Sequence, residues 1–407
     1  MKLASFQAVI SPEVGTAVAG YGPNDVSVMK YDDLTLQGVC LDDGAKKVLL
    51  ISYDLVGMAL ELVQTIREGC AKLIGETEAE VMLSCTHTHG GPHTRPLNNR
   101  GMDEVACKIV VDQTLKAVGA LKEEDFIEGE MYFYSASADA NINRRYCGPE
   151  NVCRFLPHHR QLEGIADGFR DTEVGLLAFF DKERQPRELI VNYAAHPLAS
   201  HAPGYGGHAI TSDYPGLLRK YLTEATGAHV TFVSGAAGDQ FPIDSEIGFM
   251  NLDTIAKPVA REVVRGLSNV PRNPELFLLK DARLQTKRVM VEVGVRDRPE
   301  HPRQMMRYRQ VKTATLEMQL LAIGDICLVG VPGELLAETG MEIKWNTPFR
   351  RAFIVYNSTG YEDYIGHANA LVSGGYEAEC QQFEGRTGLK LVTAAVDGMY
   401  ELRPGAE

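Results

Sequence analysis

The stretch AEVMLSCTHTHGGPHT (Ala79–Thr94) joins an apolar run to three histidines and a glycine pair. Val81 to Cys85 has the length and composition of a buried strand. The chain holds eleven histidines, and His87, His89 and His93 fall within seven positions. Just upstream, ALELVQTIREGCAKLIG (59–75) places apolar residues at helical spacing and closes on a glycine. Before it, LTLQGVCLDDGAKKVLLISYDL (34–55) reads as a β-hairpin turning at Asp43-Gly44. Hairpin, helix and strand in this order make a βαβ-like unit. In open α/β sheets, ligands gather beyond the carboxyl ends of strands, which is where the histidines sit.

The same layout recurs along the chain. TEVGLLAFFD (172–181) and RELIVNYAAHP (187–197) read as paired strands, and His196 closes the second. AHVTFVSGAAGDQFP (228–242) is a strand running into a Gly-rich loop. MQLLAIGDICLVGVPGE (318–334) is a hairpin around Gly324-Asp325 that ends at Glu334, where a helix is expected to start. RAFIVYNSTGYEDY (351–364) is a strand followed by a tyrosine-bearing loop. Five strands ending in polar residues point to one shared site. The expected fold is α/β, with mixed sheets and flanking helices. One domain spanning residues 1–407 is expected, with SNVPRNPE (268–275) as the place where two lobes would divide. No sequence repeat is visible. Segments 144–170 and 295–312, rich in Arg, His and Pro, read as long surface insertions of the kind that serve as lids or contacts.

Bulk properties exclude several classes. A net charge of -13 and no basic run argue against nucleic acid and anionic membrane surfaces as partners. No apolar run reaches the roughly 18–20 residues of a membrane-spanning helix. The opening MKLASFQAVISPEVG lacks the apolar stretch of a signal peptide. Eight scattered cysteines without a CxxC pair suit reduced thiols, so a cytoplasmic location is expected. Cys147 and Cys153 are spaced for a local bridge, should one form. Oligomeric state is not readable.

On an extended segment, His87 and His89 at i and i+2 would point the same way, within reach of one metal. Imidazole suits Zn²⁺, but this spacing alone leaves a metal site and a hydrogen-bonded loop both open. His93 is expected to be exposed. His196 before Pro197 could be a ligand or a satisfied core residue. Glu334 could be a ligand or a carboxylate favoured by a helix dipole. Tyr361, Tyr364 and Tyr376 at a strand end are most simply packing residues with a wet hydroxyl.

Taken in order, THTHGGPHT, NYAAHP, GAAGDQFP, PGELLAE and YEDY…GGYEAE resemble the motifs of the neutral (non-lysosomal) ceramidases, as do ISPEVGTAVAGYG and ANINRR. The resemblance covers nearly the whole chain and stops short of that family's C-terminal Ig-like domain. It implies a neutral-ceramidase-like catalytic domain that binds one Zn²⁺ and hydrolyses an amide. By the resemblance, the metal ligands are His87, His196, Glu334 and Tyr364. His89 would contact substrate and move a proton, while Arg144 and Tyr376 would stabilise the oxyanion. Asp239 would orient a ligand histidine.

Where the family carries a serine before proline, this chain has Phe241, with Ser234 and Ser212 as conceivable substitutes. Phenylalanine exchanges no proton, which puts ceramide itself in doubt. The implied partner is a small molecule with an amide or ester bond. Two other readings stand beside this one. One is a ligand-binding homologue without catalysis. The other is a hydrolase of another ester, such as a phosphate ester, with a second metal at His201, His208 or Asp213.

Overall fold

The computed structural model describes residues 1–22, 24–97, 100–147, 153–155, 168–199, 201–202, 207–243 and 252–403. Most of the expected 144–170 insertion lies outside these residues, as do the side chains of Cys147, Cys153 and His201. The backbones of Cys147 and Cys153 stand opposite each other in a short antiparallel pair.

Eight long strands form one sheet: β1 (Lys2–Val9), β2 (Thr35–Asp42), β3 (Lys47–Tyr53), β4 (Val81–Cys85), β5 (Ile127–Ser137), β6 (Glu173–Asp181), β7 (Pro186–Tyr193) and β8 (His229–Ser234). Their spatial order is β8-β7-β6-β5-β1-β2-β3-β4. Four further strands, β9 (Leu284–Gly294), β10 (Thr313–Ile323), β11 (Ile326–Gly330) and β12 (Arg351–Val355), form a second sheet in chain order. The main helices are α1 (Leu60–Ile74), α2 (Glu104–Gly119), α3 (Asp213–Thr226), α4 (Leu252–Asn269), α5 (Ala337–Trp345) and α6 (Thr387–Leu402). Among the described residues no helix is long and apolar enough to cross a membrane.

Alternation along the strands explains the layering. In β3, Val48 and Leu50 face one way, and Leu49, Ile51 and Tyr53 the other. The first set joins Leu177, Phe179, Leu321, Leu328 and Phe353 in a core shared by the two sheets. The second packs against α1 and α2. The outer face of the small sheet buries Met318, Leu320 and Val329 against α6 residues Leu391, Ala395 and Met399. The order is therefore helices, large sheet, small sheet, helices. Strands with apolar residues on both faces are what such a sandwich requires.

Three units share one connectivity: an antiparallel hairpin, a helix, then a strand parallel to the hairpin's second arm. They are β2-β3-α1-β4, β6-β7-α3-β8 and β10-β11-α5-β12. All the hairpins expected from sequence are present. The repetition is architectural and carries no sequence repeat. The stretch 268–275 holds a turn of 3₁₀ helix (Val270–Arg272) and one α-turn (Pro274–Phe277). The 295–312 insertion lies against 378–382, where Arg296 and Arg298 donate to the carbonyls of Ala378, Glu379 and Gln381.

Gly175 in β6 lets the sheets approach. A Cβ there would lie 2.2 Å from Cε1 of Phe353, which is only 2 % exposed. Gly175→Ala is expected to overpack this layer and destabilise by about 1–3 kcal/mol, read as a lower urea midpoint with an unchanged m-value.

Candidate metal centre

β4 ends at Cys85, and the chain turns at once under firm backbone control. Thr86 N–H donates to Tyr53 O (2.8 Å) and His87 N–H to Leu55 O (2.9 Å). His87 has φ +73°, in the left-handed region that costs a non-glycine residue on the order of 1 kcal/mol or more. The segment is therefore not extended at His87, contrary to the i, i+2 expectation. The turn nevertheless leaves Nε2 of His87 and Nε2 of His89 3.4 Å apart. Below it, buried Asp54 takes both Nη1 and Nη2 of Arg219 at 3.0 and 2.6 Å, and Thr86 Oγ1 reaches Asp54 at 3.4 Å. Arg219 belongs to α3, so this ion pair ties the crossover that follows His196 to the end of β3, beside the turn that carries His87.

His196 leaves β7 on the same side. Its Nδ1–H donates to Ala237 O at 2.7 Å, while Nδ1–H of His87 donates to Val56 O at 2.6 Å. With a proton on each Nδ1, both Nε2 atoms carry lone pairs. They point at the same carboxylate: Glu334 Oε2 lies 3.1 Å from His196 Nε2 and 3.4 Å from His87 Nε2. Glu334 arrives from the other sheet, just beyond β11. It does not start a helix, because Glu334–Leu335 pairs as a short parallel strand with Tyr364–Ile365, and α5 begins only at Ala337. The helix-dipole explanation for Glu334 therefore falls.

Two phenols complete the cage. Tyr356 donates to Glu334 Oε2 at 2.9 Å, and Tyr361 donates to Oε1. The Tyr361 ring lies nearly parallel to His87, with centroids 6.0 Å apart, and the Arg95 guanidinium carbon lies 3.4 Å from the Tyr361 centroid. Tyr364 turns its hydroxyl elsewhere, accepting from Arg144 Nη2 at 3.0 Å. Arg144 is also held by Glu377, which pairs with Arg145 at 2.6 Å. The Arg144 guanidinium is 4.7 Å from the Phe241 ring and 5.5 Å from that of Tyr376. Phe241 itself meets the His196 ring edge-on at 5.6 Å.

Burial governs the imidazoles. It lowers His87 to about 4 and pushes His89 well below its ordinary range. Among the described residues, His87, His89 and His196 are the grouping of three donors able to hold a metal, with all donor atoms within 4.8 Å of one another. His89 Nδ1 is buried with no hydrogen-bond partner.

Other expectations need correcting. His93 is 2 % exposed rather than exposed, because its Nε2 bonds Val18 O at 3.1 Å. Asp239 orients no histidine: it accepts from Asn143, Gln240 and the Ala337 N–H that opens α5. The Ser212 hydroxyl is bonded to Asp32, and Ser234 Oγ is buried with no hydrogen-bond partner. Asp213 accepts the N–H groups of Ala199 and Tyr214 at the start of α3, and His208 stacks on Tyr21 at 4.1 Å. Sequence reasoning missed Tyr356, Glu377 and the Asp54–Arg219 pair. Tyr356 directly follows an apolar strand, and that placement was its one available signal.

A mixed α/β sandwich with histidines and a carboxylate converging from two sheets defines a class of candidate metalloprotein. No family model matches the chain, and no curated protein matches its sequence. Among solved structures, the neutral ceramidase from Pseudomonas aeruginosa superposes with a TM-score of 0.77 at 16% identity, covering 99% of this chain and 74% of that one. A ceramidase complexed with C2 gives a TM-score of 0.76 at 15% identity, covering 99% and 75%. The chain has a neutral-ceramidase-like fold.

Two predictions follow from the packing around His89. At Gly20 (φ +96°), a Cβ would lie 2.3 Å from His89 Nδ1. Gly20→Ala should cost about 1–2 kcal/mol in a urea melt and weaken metal binding measured by calorimetry. Separately, the unfolded chain protonates these imidazoles near pH 6.5, whereas folded His87 resists protonation down to about pH 4. Their contribution to stability is thus complete above pH 6.5 and is lost as pH falls towards 4. The thermal midpoint of metal-free protein should drop over that window, with a shallower drop in His87→Asn.

Proposed function

We propose that this protein is a zinc-dependent hydrolase of an amide (N-acyl) bond. One observation carries the reading: the Nε2 atoms of two imidazoles, each with its Nδ1 against a backbone carbonyl, converge on one oxygen of a buried carboxylate at 3.1 and 3.4 Å. Buried acceptors so arranged repel unless a cation joins them. The nitrogen and oxygen donors suit zinc. His87, His196 and Glu334 would hold it with one phenol. Tyr361 is favoured over Tyr364, since its hydroxyl is on Glu334 while that of Tyr364 serves Arg144. When bound, zinc supplies Lewis acidity and a water acidified towards about pH 7.

The chain's own residues would do the remaining work. The backbone carbonyls of Val56 and Ala237 fix the tautomers of His87 and His196. His89, kept neutral by burial, is placed to take a proton from the attacking water and return it to the leaving amine. Arg144 and Tyr376 are the donors suited to the developing oxyanion. Phe241 supplies an apolar wall beside His196 and a ring face to Arg144. Because ligands come from both sheets, residues 1–407 are read as one metallohydrolase domain. The six cysteines whose side chains are described are free thiols, which favours a cytoplasmic setting.

Purified protein should carry about one zinc by mass spectrometry, and His87→Ala should abolish both metal and turnover on an N-acyl substrate panel, a loss on the order of 10³-fold or more. Zinc below a tenth of an equivalent after reconstitution would refute the reading. Zinc bound with no turnover would instead favour a binding protein, the role Phe241 leaves open.

A further inference from the structure

The chain is strongly acidic, at -13 overall, yet several arginines contact the tyrosines of the proposed centre. Most are neutralised. Arg144 and Arg145 share Glu377, Arg307 pairs with Glu362 at 2.6 Å, and Arg95 approaches Asp363 at 3.5 Å. Arg296 donates to backbone carbonyls, and Arg298 to backbone carbonyls and the Gln304 amide oxygen. Arg303 differs. It is exposed, and among the described residues no carboxylate lies within ion-pair distance; Glu379 is close enough only to bias it. Its guanidinium lies 5.1 Å from the Tyr376 ring centroid.

Arg303 is also held in place. Its carbonyl accepts from Gln382 Nε2 at 2.8 Å, and the same amide bonds Asp363 at 2.8 Å, in the loop that carries Tyr361 and Tyr364. Tyr376, 37% exposed, therefore stands between a buried guanidinium, Arg144 at 5.5 Å, and an exposed one. A substrate whose scissile amide lies at the histidines would pass Arg144 and Tyr376 and meet Arg303 at the rim. A planar, weakly hydrated cation with its backbone fixed is suited to a carboxylate, sulfonate or phosphate. A cationic rim on an acidic protein also draws anions to that one place.

We propose that the substrate is an anionic amide: an N-acyl compound carrying a negatively charged group a few bonds from the scissile bond, which Arg303 binds. This rests on the amidohydrolase reading, and the test separates the two. The probes share one acyl chain: N-lauroyl glycine, N-lauroyl taurine, N-lauroyl ethanolamine phosphate and neutral N-lauroyl ethanolamine. With zinc-loaded protein, kcat/KM for at least one anionic probe should exceed that of the neutral one by about tenfold or more. The advantage should shrink as salt rises. Arg303→Gln should remove the preference mainly through KM, and Arg303→Lys should restore part of it. The preferred probe identifies which anion is recognised. Calorimetric binding of the same probes runs alongside. A charge preference in binding without cleavage of any amide keeps the anion site and refutes the hydrolase. Equal handling of neutral and anionic probes, or an Arg303→Gln variant with the wild-type preference, overturns the proposal.

Discussion

The contact on which this structure turns is the approach of Glu334 to His87 and His196. The carboxylate comes from the small sheet and the imidazoles from the large one. Each histidine has committed its Nδ1 proton to a backbone carbonyl, so neither can satisfy the carboxylate as a neutral donor. Two phenols do so instead, and they come from the small sheet as well. The sandwich thus brings together electron pairs that would separate if the sheets were free, and the apolar core between the sheets supplies the opposing free energy.

The three hairpin-helix-strand units explain why the site lies where it does. Each unit ends in a parallel strand pair, and parallel strands put their carboxyl ends on one edge. His87 follows β4, His196 follows β7, Glu334 follows β11, and Tyr356 follows β12. The remaining parallel strands, β3 and β8, lead to Val56 and Ala237, whose carbonyls hold His87 and His196. One connectivity used three times brings His87, His196, Glu334 and Tyr356 together.

Much of this was legible in the sequence because its rules are local. Asp43-Gly44 and Gly324-Asp325 mark hairpin turns, and the apolar run from Val81 to Cys85 marks a strand ending at histidines. What the sequence withheld depends on distant partners. Glu334 reads as a helix start until its pairing with Tyr364, thirty residues on, is known. His93 reads as exposed until the Val18 carbonyl is known to cover it. Tyr356, Tyr361 and Tyr364 are chemically alike in sequence, and only the position of Arg144 shows which phenol is diverted from Glu334. Strands apolar on both faces, such as β3, show that both sides are covered but not by what.

The Asp54–Arg219 pair has a wider meaning than support for one turn. It is buried, and its partners belong to different repeats of the architecture. Losing either member strands a charge in the interior at about 3–5 kcal/mol, whereas losing both to well-matched apolar residues is nearly neutral. A lineage cannot cross between those states by single steps without passing through a damaged protein. Positions 54 and 219 should therefore drift as one inherited unit, with their histories coupled across the 165 residues that separate them.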